Sequence, residues 1–129
     1  SQESGEGDAS HLTDGNPSSY WHTMYSVTVA NHPHWVDFDC GGMKTIKGFT
    51  YLPRQDSNNG NIKKYSIQVS NDGKTWGKAV AEGEFENNRK EKTILLTTPV
   101  KARFVRLTAL SEQSGQDFAT GAEFKVLEK

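Results

Sequence analysis

Cys40 is the only cysteine in the chain, so neither an internal disulfide nor a cysteine-rich metal site can form. At the end of an apolar, strand-like run it reads as a small buried hydrophobe. An excess of one charge is also missing, because 15 Lys and Arg face 16 Asp and Glu for a formal charge of −1. That balance leaves no electrostatic footprint for holding a nucleic-acid backbone or an anionic bilayer. Two basic clusters do not alter this: Glu91 interrupts Arg89, Lys90 and Lys92, while Lys101, Arg103 and Arg106 alternate with apolar residues. Both read as solvated faces. No apolar stretch reaches membrane-spanning length and no signal peptide is visible. The start at Ser1 fits a mature or excised fragment of a larger protein. A sustained helical repeat, an internal repeat and a linker-like composition shift are all lacking. So are the G-x-S-x-G turn and the metal-protease helix motif, and no catalytic residue is nominated.

What the sequence does hold is a series of short apolar runs with a period of two. They are 34–40, 45–52, 65–70, 93–97, 104–110 and 123–127, rich in Val, Ile, Thr, Phe and Tyr. Turn-forming residues separate them: Asp14-Gly15-Asn16-Pro17, Cys40-Gly41-Gly42, Asn59-Gly60 and Asn71-Asp72-Gly73. Many short, half-apolar strands are buried most readily in an all-β sandwich, and 129 residues suffice for one core across 1–129. Trp21, Trp35 and Trp76 read as core or sheet-packing residues, and Arg106 as the partner of a buried carboxylate. The first 20 residues are strand-poor and rich in Ser, Gly, Asp and Glu. They form either a disordered leader or an irregular loop held by an ion. Asp14-Gly15-Asn16 is a turn in which a carboxylate and backbone carbonyls can converge, as a hard cation requires. His32 and His34 share one side of any strand, but two histidines without a third ligand are weak evidence for zinc.

The run Asp14-Gly15-Asn16-Pro17-Ser18-Ser19-Tyr20-Trp21-His22-Thr23 resembles the discoidin-like sandwich of the coagulation-factor type C superfamily. Four further segments match in order: 51–56, 69–77, 102–107 and 122–126. Within that superfamily the chain is similar to the bacterial carbohydrate-binding modules of family 32, and to the sugar-binding domain of galactose oxidase. The resemblance implies an eight-stranded antiparallel jelly-roll β-sandwich with its binding loops at one end. It also implies a structural calcium ion stapling the N-terminal segment to the last strand. Its ligands would be the Asp14 carboxylate, the carbonyls of His11, Asn16 and Ala122, Ser19 through hydroxyl and carbonyl, and the Glu123 carboxylate.

Sugar recognition needs an aromatic face for the ring's C–H patch and a fan of fixed polar groups for its hydroxyls. His22, Tyr25, Arg54 and Phe118 occupy loop positions that supply both. By resemblance, His22 and Arg54 contact the hydroxyls of a galactose-type sugar, including the axial one. Asn59 or Asn61 adds a hydrogen bond, and Tyr25 and Phe118 flank the ring. Glu3 or Glu6 fills a further contact seen in some relatives. Two structural alternatives stand beside these roles: Arg54 paired with Asp56, and His22 bonded to its own loop. A shallow site of this kind binds with a dissociation constant of roughly 0.1–1 mM and gains by tethering a linked catalytic domain. The expected protein is a non-catalytic, monomeric galactose or N-acetylgalactosamine binder, outside a bacterial cell as part of a secreted multidomain enzyme. The rival is a discoidin-type lipid- or protein-binding domain. Against a lipid partner, the tips at 58–61 and 114–117 are polar.

Overall fold

A computed structural model of the chain describes residues 7, 9–16, 18–23, 32–56 and 60–129. After a 3-10 turn at Ala9–Thr13 come seven strands: β1 Trp21–His22, β2 His34–Leu52, β3 Lys64–Ser70, β4 Ala81–Glu84, β5 Lys92–Ala109, β6 Thr120–Gly121 and β7 Glu123–Glu128. β1 pairs with β6, and the other five lie in the order β4-β3-β5-β2-β7. Every strand pairing is antiparallel.

β2 and β5 are long because each joins two of the runs expected from the sequence. The Cys40-Gly41-Gly42 break does not end β2. Gly41 takes φ +81° there, and the register against β5 slips between Asp39 and Lys44. A second slip between Ile46 and Gly48 occurs against both β5 and β7. Such irregularities bend a strand without ending it. Seven strands stand among the described residues where eight were expected.

The bending folds the sheet over on itself. Phe124 of β7 pairs in register with Tyr51, 13 positions along β2 from Phe38. That separation spans about 43 Å of straight strand. Yet the Phe38 and Phe124 rings stack with centroids 4.8 Å apart, so the two halves of β2 face each other. Between them lie Val36, Ile46, Phe49, Tyr51, Ile67, Val105, Leu107 and Phe124, all buried. Each large apolar side chain buried in this way contributes about 1.5–3 kcal/mol.

Alternation along β2 sends Val36 inward and its neighbours Trp35 and Asp37 outward. Trp35 is therefore 52% exposed and is not a core residue, whereas Trp21 is fully buried. On the outward face Arg106 pairs with Asp37 (2.7 and 3.0 Å) and its guanidinium lies 5.4 Å from Trp35 and 4.4 Å from Trp76. The expected carboxylate partner of Arg106 exists, but it is exposed, because both residues sit on the solvent row of adjacent strands.

Candidate sugar-binding rim and ion loop

The segments at one end of the sandwich are tied together by backbone bonds. His22 pairs with Thr120 across β1 and β6, and the Thr120 N–H donates to the Gly60 carbonyl at 2.8 Å. Gly60 has φ +78°, and an added Cβ would lie 2.6 Å from Thr120 Cγ2 and 2.9 Å from its backbone nitrogen. Only glycine fits so close a crossing. The Thr23 N–H donates to the Ala119 carbonyl at 3.0 Å, and the Ala119 N–H returns a bond to Thr23 Oγ1 at 3.1 Å. These bonds fix His22, the Gly60 turn and the segment carrying Phe118 beside one another.

On that base the side chains form a continuous row. Phe118 stacks on His22 with centroids 5.1 Å apart and planes inclined by 29°. His22 lies 6.5 Å from the Tyr20 ring, and the Arg54 guanidinium sits 3.8 Å above the centroid of Tyr20. Arg54 Nε and Nη2 donate to the Asp56 carboxylate at 2.6 and 3.4 Å, and Nη2 also donates to the Tyr20 hydroxyl at 3.0 Å. The Arg54 guanidinium holds the Asp56 carboxyl below its usual range. Three bonds occupy Nε and Nη2, so the Nη1 N–H groups make no bond among the described residues. The His22 Nδ1–H donates to the Thr23 carbonyl at 2.6 Å. Both structural alternatives for Arg54 and His22 are thus realised, and each orients its side chain.

The remaining expected sugar contacts fall differently. Asn61 lies under the rim: it is 3% exposed, and neither its amide oxygen nor its nitrogen has a partner among the described residues. Tyr25, Asn59, Glu3 and Glu6 lie outside the described residues. Tyr20, by contrast, was missed as a site residue although it sits inside the motif that carried the resemblance. His32 and His34 brace the Phe118 loop. His32 bonds the Gln116 carbonyl at 3.1 Å through Nε2, and His34 Nε2 bonds the Asp117 carbonyl.

A second cluster forms around the turn after the 3-10 segment. Asp14 Oδ1 accepts the Asn16 N–H at 2.9 Å, and Asp14 Oδ2 accepts the Ser19 hydroxyl. Ser19 Oγ also lies 3.1 Å from the Asn16 carbonyl, and the His11 ring bonds the Tyr20 carbonyl at 3.0 Å to close the loop. Glu123, on β7, approaches from the other side. It is 6% exposed, and its Oε1 has no hydrogen-bond partner among the described residues. Burial and the facing Asp14 push the Glu123 carboxyl up, whereas Ser19 and the Asn16 N–H push Asp14 down. Ala122, beside Glu123, is held by its N–H to the Leu52 carbonyl at 2.8 Å. Two opposed carboxylates, one carrying an orphaned buried oxygen, fit a cation. Among the described residues no three His, Cys, Asp or Glu side chains gather, so such an ion would draw on carbonyls and hydroxyls, as calcium does.

A groove of about 420 Å³ opens elsewhere, between Ala9–Thr13 and the outer parts of β2 and β7. Its two rings, Phe38 and Phe124, stack on each other and offer a sugar no platform.

The family model for the F5/8 type C domain matches residues 1–124. The chain belongs to this family. Similar proteins include a sialidase of Micromonospora viridifaciens, 42% identical over 94% of this chain, and galactose oxidase of Gibberella zeae, 36% identical over 89%. The chain spans less than a fifth of the length of either, 19% and 17%. Among solved structures, a Clostridium perfringens family 32 module in complex with GalNAc-β-1,3-galactose superposes with a TM-score of 0.87 at 37% identity. The match covers 95% of this chain and 84% of that one. Another family 32 module from the same organism, in complex with galactose, gives 0.86 at 33% identity, covering 98% and 88%. Within the F5/8 type C domains, then, this one is a carbohydrate-binding module of family 32. It is a non-catalytic sandwich of the kind found attached to glycan-active enzymes.

Proposed function

We propose that the module binds terminal galactose-type residues, galactose or N-acetylgalactosamine, at the rim formed by His22, Tyr20, Arg54 and Phe118. The supporting observation is the row itself: the Phe118 and His22 ring pair beside Tyr20 and a braced guanidinium with N–H groups to spare, on segments locked together. Fixed guanidinium donors suit the hydroxyls of a pyranose, and the rings cover its C–H face. Two similar modules bound to galactose-containing sugars support the same choice. Tyr25 and Asn59 are proposed to complete the rim. Asn61 is assigned to its floor. A lipid-binding role is less well supported, since Phe118 lies against His22 and is not presented as a greasy tip.

The Asp14 and Glu123 loop is proposed to hold a structural calcium ion, with Ser19 and the carbonyls of His11, Asn16 and Ala122. When bound, the ion would neutralise the opposed carboxylates and tie the segment before β1 to β7. The single shallow sugar site at the rim gives a dissociation constant of roughly 0.1–1 mM. Its use lies in concentrating a linked catalytic domain on glycans outside the cell, with this chain as one part of a longer secreted bacterial enzyme.

A glycan array followed by calorimetric titration with galactose, N-acetylgalactosamine and N-acetylglucosamine tests this reading. Saturable binding of the first two, lost in His22→Ala and Arg54→Ala, is expected. Unchanged binding in both variants would place the site elsewhere.

A further inference from the structure

Glu112 is 3% exposed and forms no ion pair with a basic residue among the described residues. Burying an ionised carboxylate is costly unless its oxygens are fully hydrogen-bonded. Here they are. Oε1 accepts the N–H of Ser114 at 2.6 Å and of Gln116 at 3.0 Å, Oε2 accepts the N–H of Gly60 at 2.8 Å, and the Ser114 hydroxyl lies 2.9 Å from both. The two oxygens divide the work. Oε1 shapes the turn that leads to Phe118, while Oε2 reaches across to the turn that abuts Thr120 and His22.

We infer that Glu112 is a positioning residue for sugar binding, a role that rests on the rim described above. Its carboxylate sets the gap between the Gly60 turn and the Phe118 loop. Gly60 is gripped from both ends, its N–H by Glu112 and its carbonyl by the Thr120 N–H. A closed circuit results: Glu112 to Gly60, Gly60 to Thr120, Thr120 to its strand partner His22, His22 to Phe118, and Phe118 back through Gln116 to Glu112. A loose link anywhere in this ring lets His22 and Phe118 drift apart, and the sugar must then order the loops as it binds. No residue of the rim itself need change.

Glu112→Gln isolates the cross-loop bond. An amide has one accepting oxygen, so a side chain that keeps Ser114 and Gln116 turns its NH2 toward the Gly60 N–H, donor against donor. Galactose is titrated into the unmodified chain, Glu112→Gln, and Ile67→Val as a control destabilised in the core. Amide hydrogen exchange at Gly60 is followed in parallel. We expect Glu112→Gln to weaken galactose binding about ten-fold and to speed Gly60 exchange, while Ile67→Val lowers the melting temperature but keeps its affinity. Glu112→Asp, with the carboxylate withdrawn by one methylene, serves if the amide variant does not fold, and is expected to weaken binding as well. Unmodified affinity in a folded Glu112 variant overturns the inference and leaves the rim standing. Absence of galactose binding by the unmodified chain overturns both.

Discussion

The rim and the ion loop treat charge in opposite ways. At the rim the Arg54 cation has a carboxylate partner in Asp56, and a ring lies under it. At the loop two carboxylates face one another, and the buried Glu123 oxygen has no donor among the described residues. The first arrangement is complete before any ligand arrives, and its ligand pays little to order it. The second is under electrostatic strain that a divalent cation would relieve. A sugar should therefore barely change the stability of the fold, and calcium should change it greatly. The weak affinity expected of one sugar site points the same way, because stabilisation by a ligand follows its concentration relative to the dissociation constant.

The largest expected effect is on the loop. Calcium at about 100 times its dissociation constant stabilises by about 2.7 kcal/mol, which raises the melting temperature by roughly 10 °C in a domain of this size. Scanning calorimetry with and without EDTA should show that difference, and Glu123→Ala should abolish it. A chelator-insensitive transition would mean that the carboxylates do not hold an ion.

Next comes a contrast between two arginines. Arg54 and Arg106 each pair with an aspartate and lie over aromatic rings, but Arg106 is on the flat outer sheet face. Arg54→Ala should weaken galactose binding at least about ten-fold, the loss expected for a charged hydrogen-bond donor, and Arg106→Ala should leave it unchanged. Equal losses would show that the pairing motif, not its place on the rim, matters. Phe118→Ala removes only a stacking face. Its expected cost is about five-fold in the same titration, in line with aromatic contacts of about 1 kcal/mol.

The smallest effect is in the pH profile. In the metal-free protein Glu123 has a raised carboxyl, so the folded state holds that proton longer than the unfolded chain. Stability from this group is present at low pH and lost as pH rises through the raised value. Calcium competes with the proton, so its stabilising effect should grow with pH over that window. Asp72 behaves oppositely. The N–H groups of Thr75 and Lys74, with the Ser70 hydroxyl, hold its carboxyl at about 2. Its contribution is present above the ordinary value of 3.8 and lost as pH falls toward about 2, with or without calcium. Thermal melts from pH 2 to 7 separate the two.

The strand pattern was legible because one face of each strand is buried, and alternation is recorded directly in residue type. Residues 65–70 and 123–127 correspond to strands within a residue or two, while 34–40 and 104–110 lie in the longer β2 and β5. Sequence failed where geometry depends on long-range folding. The Gly41-Gly42 pair reads as a turn yet works as a bend within β2. Trp35 reads as packing material, but its place on the outward row exposes it. β4, the Ala81-Glu82-Gly83-Glu84 edge strand, is exposed or half-buried throughout and has Ala81 as its one apolar side chain. Of the proposed rim, His22, Arg54 and Phe118 were nominated through the resemblance. Glu112 was invisible because nothing local distinguishes it from the chain's other acids: its partners lie 52 residues back at Gly60 and two to four ahead.

The most direct test of the central claim is to map galactose onto the isotopically labelled, calcium-loaded chain by NMR chemical-shift perturbation. The account predicts saturable shifts concentrated at His22, Arg54, Gly60 and Phe118, with Trp35 and Arg106 unmoved. Shifts centred on the outer sheet face, or none up to about ten times the expected dissociation constant, would contradict it.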